Sequence, residues 1–367
     1  MTIRTTVIVF TIVFLLGLLV IVILPFILGA RPLSPELTTD AAQEQLDRGV
    51  FRSDDGGGTW EAKSWVEGSS ESIAGFRVNR LTPNPSDPAT LYLLTDGNGL
   101  WVSRSRGDLW AQVIDRAGVL EPTSNVLAIA VNPNDRREWY VAVFQKNRGR
   151  VLRTADEGGT FREIYFTPRE RYGVFDLHYD HVRQRIVIAT GQGGLLESAD
   201  RGLTWRVIRW FADGLVRLLV DPSDPSNGYV ATPGGDLFRT SDYGGTWADV
   251  TEPLAEFSSA RHDQQWIIDA SGTLYVGSRH GLLRSRDGGT TFEDPPLIIP
   301  PDALPVRVVA VDPRILSRIL VAANSQLYGS VDGGASWIIL TPPTTKRLTH
   351  LIIDAARSQT IYLVAQP

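Results

Sequence analysis

Ser53-Asp54-Asp55-Gly56-Gly57-Gly58-Thr59-Trp60 is the stretch that decides the fold, because the same phrase, S-x-D-x-G-x-T-W, returns six more times. Later copies begin at Ser103 (SRSRGDLW), Thr154 (TADEGGTF), Ser198 (SADRGLTW), Thr240 (TSDYGGTW), Ser285 (SRDGGTTF) and Ser330 (SVDGGASW). Successive starts lie 50, 51, 44, 42, 45 and 45 residues apart. A period of that size marks an array of small sheets, in which each unit needs its neighbours to bury its apolar faces.

The chemistry of the turn accounts for its residues. The carboxylates of Asp55, Asp156, Asp200, Asp242, Asp287 and Asp332 can each accept several N–H bonds from a tight turn. Gly57, Gly158, Gly202, Gly244, Gly289 and Gly334 supply the positive φ that a side chain resists. Hydroxyls such as those of Ser53, Ser198 and Thr204 are expected to tie the flanking strands together. The rings of Trp60, Trp205, Trp247 and Trp337 then enter the space between sheets, with an indole N–H that needs a partner. In the second copy Ser105 replaces the aspartate and Leu109 the threonine. That clasp should be the weakest.

Between the turns, short β-branched runs are separated by D-P or N-P, as in residues 306–313 followed by 319–323. Equivalent pairs are 76–83 with 90–95, 125–133 with 138–143, 215–222 with 228–232, and 347–354 with 360–365. Such runs read as strands. One further strand leads into each turn and another leaves it, so every unit should be a four-stranded antiparallel sheet. The segment 50–64 opens with only the last two strands of a unit, and 347–365 ends with only the first two. Joined, they complete a seventh sheet. The expected fold is therefore all-β: a seven-bladed β-propeller over residues 50–367, closed by strands from both ends of the chain, with about 45 residues per blade.

Composition narrows the functions. The 367 residues carry a net charge of −5, which gives no global case for nucleic acid as a partner. There is no cysteine, which removes disulfides, thiolate metal sites and cysteine nucleophiles. The 5 histidines show no metal-ligand spacing, and neither a metal nor a cofactor is expected. From Val7 to Ala30 the chain runs 24 residues without a charge, about 36 Å as a helix and enough to span a bilayer. Residues 1–30 are accordingly expected to be a tail and a single transmembrane helix, with a cleaved secretory signal as the alternative, and 31–49 a stalk. Arg4 before the span and the acids after it place the propeller on the extracytoplasmic side.

The repeated turns resemble the BNR or Asp-box repeat of bacterial sialidases, sortilin-type receptors, xyloglucan-cleaving enzymes and photosystem II stability/assembly factors. Seven turns in one ring behind a membrane tether look most similar to the assembly-factor group. That resemblance implies a non-catalytic propeller that binds a membrane protein, or its extracytoplasmic loop or tail. The alternative is a carbohydrate-active or glycan-binding protein, sialidase-like in its repeats. Against a sialidase, the nearest match to the usual Arg-Ile-Pro run is Phe76-Arg77-Val78-Asn79, which lacks the proline, and Tyr172 and Tyr179 read as packing residues. The resemblance also implies that the xyloglucan-cleaving class forms its cleft between two propellers, whereas this chain has residues for one.

Binding residues are expected where the chain enters the innermost strands. Arg77, Arg80, Arg217, Arg307 and Arg347, with His178 and His350, fall there. They are candidates for a basic rim that receives a partner's carboxylates, because a guanidinium grips a carboxylate with two parallel bonds. A second basic run, from Lys146 to Arg171, is a candidate surface for anionic lipid headgroups.

Overall fold

In the computed structural model, residues 47–366 are described. The helix expected within 1–30 and all but the end of the 31–49 stalk lie outside them. Among the described residues, no helix is long and apolar enough to cross a membrane.

Seven antiparallel sheets follow one another along the chain, and six of them have four strands. Their innermost strands are Val78–Asn84, Asn125–Asn132, Val174–Asp180, Arg217–Val220, Gln265–Ile268, Val306–Val311 and Arg347–Asp354. They head the first to seventh blades in that order. The seventh joins both ends of the ring, in the order Glu61–Ala62, Gly49–Ser53, Arg357–Gln366, Arg347–Asp354. Its central ladder pairs Gly49 with Ala365 and runs to Ser53 opposite Ile361. Closure of this kind leaves no long edge open to a foreign strand.

The fifth blade departs from the expected four strands. It holds Gln265–Ile268, Leu274–Gly277 and Leu282–Ser285, and its fourth strand is reduced to one bridge between Arg284 and Glu293. Pro295 and Pro296 follow at once, and residues without an N–H cannot extend a ladder.

Apolar side chains from adjacent blades interleave to form the core. One cluster joins Tyr92, Leu94 and Val102 of the first blade to Val131, Trp139 and Val141 of the second. Another joins Tyr140 and Val151 of the second to Leu177 and Ile188 of the third. Each such side chain, fully buried, contributes about 1.5–3 kcal/mol.

The clasps are built differently from the sequence expectation in one respect. The first hydroxyl bonds within the turn instead of tying strands: Ser198 Oγ donates to Asp200 Oδ1 (2.8 Å) and accepts from the Gly202 N–H (2.8 Å). Asp200 then accepts from the Thr204 N–H (2.9 Å) and hydroxyl (2.6 Å). The copies at Asp55, Asp242 and Asp332 repeat the pattern. The turn also places two successive residues in the left-handed region, so that Arg201 (φ 60°) precedes Gly202 (φ 88°).

Candidate functional site

The ring has two faces. The seven clasps lie on one. The other carries the segments that enter the innermost strands, together with the connections between the second and third strands of each blade. At the centre of this second face a cavity of about 880 Å³ opens into the channel.

A repeated backbone irregularity sets the height of the channel side chains. The inner strands of the first, second, third, sixth and seventh blades each carry a bulge at their start, at Asn79, Leu127, Phe175, Arg307 and Thr349. A bulge re-aims the side chains beside it. The residue after it is Arg80, Ala128, Asp176, Val308 or His350. In the fourth blade Arg217 opens the strand and pairs with Ala231, taking the same place.

Within this ring Asp176 is the hub. Its Oδ1 accepts from Arg80 Nη1 (2.9 Å), while its Oδ2 accepts from the Leu218 N–H (3.1 Å) and lies 3.6 Å from Arg217 Nη1. Arg80 reaches it across the second blade, where the intervening ring position is the small Ala128. Burial alone would raise the Asp176 carboxyl, but Arg80 and Arg217 hold it below its ordinary value. Desolvation and the neighbouring Arg80 push the Arg217 guanidinium down to about 10 against the pull of Asp176.

His350 closes the ring on the side of the seventh blade. Its Nε2 lies 2.9 Å from the Asn79 carbonyl, which can only accept, so the proton sits on Nε2 and the Thr349 hydroxyl faces Nδ1 at 3.1 Å. Burial pushes its pKa down to about 4, helped by Arg80 and Arg217 and opposed by the bond to Asn79. The imidazole is neutral.

Of the seven residues expected at the rim, five line the cavity: Arg80, Arg217, Arg307, Arg347 and His350. Arg77 stands apart, 80% exposed and 3.4 Å from Asp96. His178 lines a separate pocket between the third and fourth blades, beside Asp180, Leu218 and Tyr243, and burial lowers its pKa. Sequence reasoning missed Asp176, although its place after Val174-Phe175 repeats that of Arg80 after Val78-Asn79. It also missed Arg261 and Asp263, which line the cavity from the long 250–264 connection. Among the described residues that connection alone carries a short helical turn, Glu252–Glu256, so no repeat pointed to it. Arg261 is bonded to Asp236, and Arg279 to Asp263.

The basic run from Lys146 to Arg171 is largely neutralised. Lys146 pairs with Glu121 (3.1 Å), Arg148 with Glu170 (3.4 Å), Arg150 with Glu163, and Arg153 with Glu138. That leaves little net charge to draw the band to an anionic surface. Tyr179 packs as expected, stacked on Tyr140 with ring centroids 5.6 Å apart. Tyr172 does not, being 38% exposed.

No family model matches the chain. A xyloglucanase from a Paenibacillus species is 27% identical over 294 residues, which is 72% of this chain and 24% of that protein. An oligoxyloglucan-reducing end-specific xyloglucanase from Emericella nidulans is 24% identical over 242 residues, 55% of this chain and 29% of that protein. The chain thus spans about a quarter of the length of these curated relatives. Among solved structures, the GH74 xyloglucanase from Xanthomonas campestris superposes with a TM-score of 0.63 at 19% identity, over 86% of this chain and 52% of that one. YCF48 bound to D1 peptide superposes with a TM-score of 0.60 at 14% identity, over 80% of this chain and 93% of that one. At these identities the two structures speak for the fold alone.

The relatives correct the functional expectation. A non-catalytic assembly factor was the reading drawn from the repeats and the apparent tether. The sequence likeness is instead to proteins named for cleaving a polysaccharide. The repeats could not reveal this, because clasps and strands hold the ring together and are shared by propellers of unrelated function.

Proposed function

We propose that this protein is a carbohydrate-active propeller of the glycoside hydrolase type, which holds a polysaccharide against the channel-mouth face. The observation that carries the reading is the likeness to xyloglucanases over 72% of the chain. The mouth suits the role, since its cavity of about 880 Å³ mixes polar and apolar walls and is open to a long chain.

Hydrolysis of a glycoside needs a pair of carboxyl groups across the sugar. Asp176 is committed to Arg80 and Arg217 beneath the mouth. Asp263 lines the cavity and Asp236 stands on the adjoining loop, which Gln264 contacts through the Gly235 carbonyl at 3.4 Å. The bond from Arg279 holds Asp263 below the ordinary carboxylate range despite some burial. An ionised group of this kind serves as nucleophile or base, and we assign Asp263 that part.

The test is release of reducing ends by the full chain from xyloglucan, other β-glucans and polyuronates. Asp263→Asn should lower the rate by about 100-fold or more, and Asp236→Asn should also be slow. Failure to cleave or retain any polysaccharide would overturn the proposal.

A further inference from the structure

Arg307 and Arg347 set the mouth apart from a surface made for a neutral sugar chain. Both line the cavity, and among the described residues neither makes an ion pair or hydrogen bond. Arg307 is half-buried at the bulge of the sixth blade, and Arg347 is exposed at the start of the seventh. Around the mouth, Arg80, Arg217, Arg261, Arg279, Arg307 and Arg347 stand against Asp176, Asp236 and Asp263. Six cations meet three anions in a protein whose net charge is −5. The chain has concentrated positive charge at one place against its own average.

Outside the cavity lining, the third blade carries an exposed aromatic ring. Phe175 occupies the bulge of the third blade and is 36% exposed. Its ring lies where a Cβ on Gly191 would fall 2.6 Å from its edge and one on Gly173 would fall 3.2 Å away. The two glycines therefore make room for the ring to lie flat against the backbone. A Cβ on Gly173 would also sit 3.4 Å from Leu127, the bulge residue of the second blade. Phe175 and Leu127 stand outside the cavity lining, which presents the guanidinium groups of Arg307 and Arg347 to whatever enters it.

We infer that the channel mouth takes an acidic saccharide, one whose uronate carboxylate is held by Arg307 and Arg347. The inference rests on the carbohydrate-active reading above and narrows it to a substrate class. Arg307 acts on Asp263 only at longer range and, among the described residues, Arg347 has no carboxylate against it, whereas a uronate supplies two oxygens in the geometry that arginine matches. Residual charge elsewhere favours the same ligand. Asp176 answers Arg80 and Arg217 with one negative charge, so an anion above them is drawn in.

The test measures binding of a galacturonate trisaccharide to the full chain, beside the same trisaccharide with its carboxylates reduced to neutral hydroxymethyl groups. The acidic form should bind at least about tenfold more tightly, and its advantage should shrink as salt is raised. Arg307→Gln with Arg347→Gln should erase the advantage and leave the neutral form unchanged. Neither side chain makes a hydrogen bond or close ion pair among the described residues, so the thermal midpoint should stay near the wild-type value, and the reduced trisaccharide serves as a control that needs no variant. Equal binding of both forms overturns this inference and leaves the glycan reading standing. No binding of either form, together with no cleavage of any polysaccharide, removes both. Tighter binding of an acidic peptide, lost in the same double variant, would assign the mouth to a protein ligand and overturn the saccharide.

Discussion

The two faces of the ring obey different rules. On the clasp face, six turns at Asp55, Asp156, Asp200, Asp242, Asp287 and Asp332 keep the same aspartate, glycine and hydroxyl. On the mouth face the equivalent ring positions are Arg80, Ala128, Asp176, Arg217, Val308 and His350, and no position settles on one residue type. The repeated face solves one local problem many times. The varied face makes one object from the parts of several blades. Even the one degraded clasp follows this division. Where Ser105 stands in for the aspartate, its hydroxyl still accepts from the Leu109 N–H at 3.0 Å. The blade is then tied to its neighbour by Asp108 with Arg52 (2.9 Å) and Lys63 (2.7 Å), and by Trp110, which is fully buried. The expectation that this turn is weakest holds for its internal bonds, while ion pairs and packing across blades take up the load.

Breaking the varied face should cost most. Asp176→Ala leaves Arg80 and Arg217 without their shared partner in a desolvated channel, and should destabilise the protein by about 3–5 kcal/mol in chemical denaturation. A loss below about 1 kcal/mol would mean that the two arginines simply turn to solvent, and would remove the claim that the ring is one electrostatic unit.

Acid should then separate the two faces by pH. His350 has a folded pKa of about 4, below the unfolded value near 6.5. The unfolded chain therefore takes up the proton first, and stability falls as pH drops from about 6.5 to about 4. The clasp carboxylates of Asp156, Asp200, Asp242, Asp287 and Asp332 are held at about 2 by bonds from turn N–H and hydroxyl groups. Their contribution is complete above about 4 and is lost as pH falls towards 2. His350→Gln should make the upper stage of an acid-unfolding profile shallower, leaving the part that the buried His178 contributes, and leave the lower stage intact. An unchanged slope between pH 6.5 and 4 would show that the histidine does not carry it.

The smallest effect sharpens the comparison within the clasp face. Ser105→Asp restores the missing carboxylate, but Leu109 still offers no hydroxyl. The gain should stay below about 1 kcal/mol, the value of one net hydrogen bond. A larger gain would indicate that the ion pairs across blades do not make up for the degraded turn.

What could be read early follows from the same division. Ser53 to Trp60 and its six copies gave the turn, the spacing gave the blades, and the mismatch between residues 50–64 and 347–365 gave the closure. Two local details escaped: the inward bonding of the clasp hydroxyls, and the shortened fifth blade, for which Pro295 and Pro296 were the available sign. At the mouth, Arg80, Arg217 and His350 come together because they hold the same place on their inner strands, with Arg307 at the adjoining bulge of the sixth. Arg77 holds the place in the first blade that Arg347 holds in the seventh, yet it lies beside Asp96 outside the cavity, while His178, two residues beyond Asp176, enters a different pocket.

By itself the amino-acid sequence determined the ring, since a clasp is closed by bonds spanning only four residues and each copy announces itself. Only the tertiary structure decided that Arg80 meets Asp176 across a whole blade, and that Arg307 and Arg347 line one cavity with Arg217 and His350. Those contacts join residues from different blades, and their strength depends on desolvation and on the sum of surrounding charge. Both are set by the closed ring as a whole.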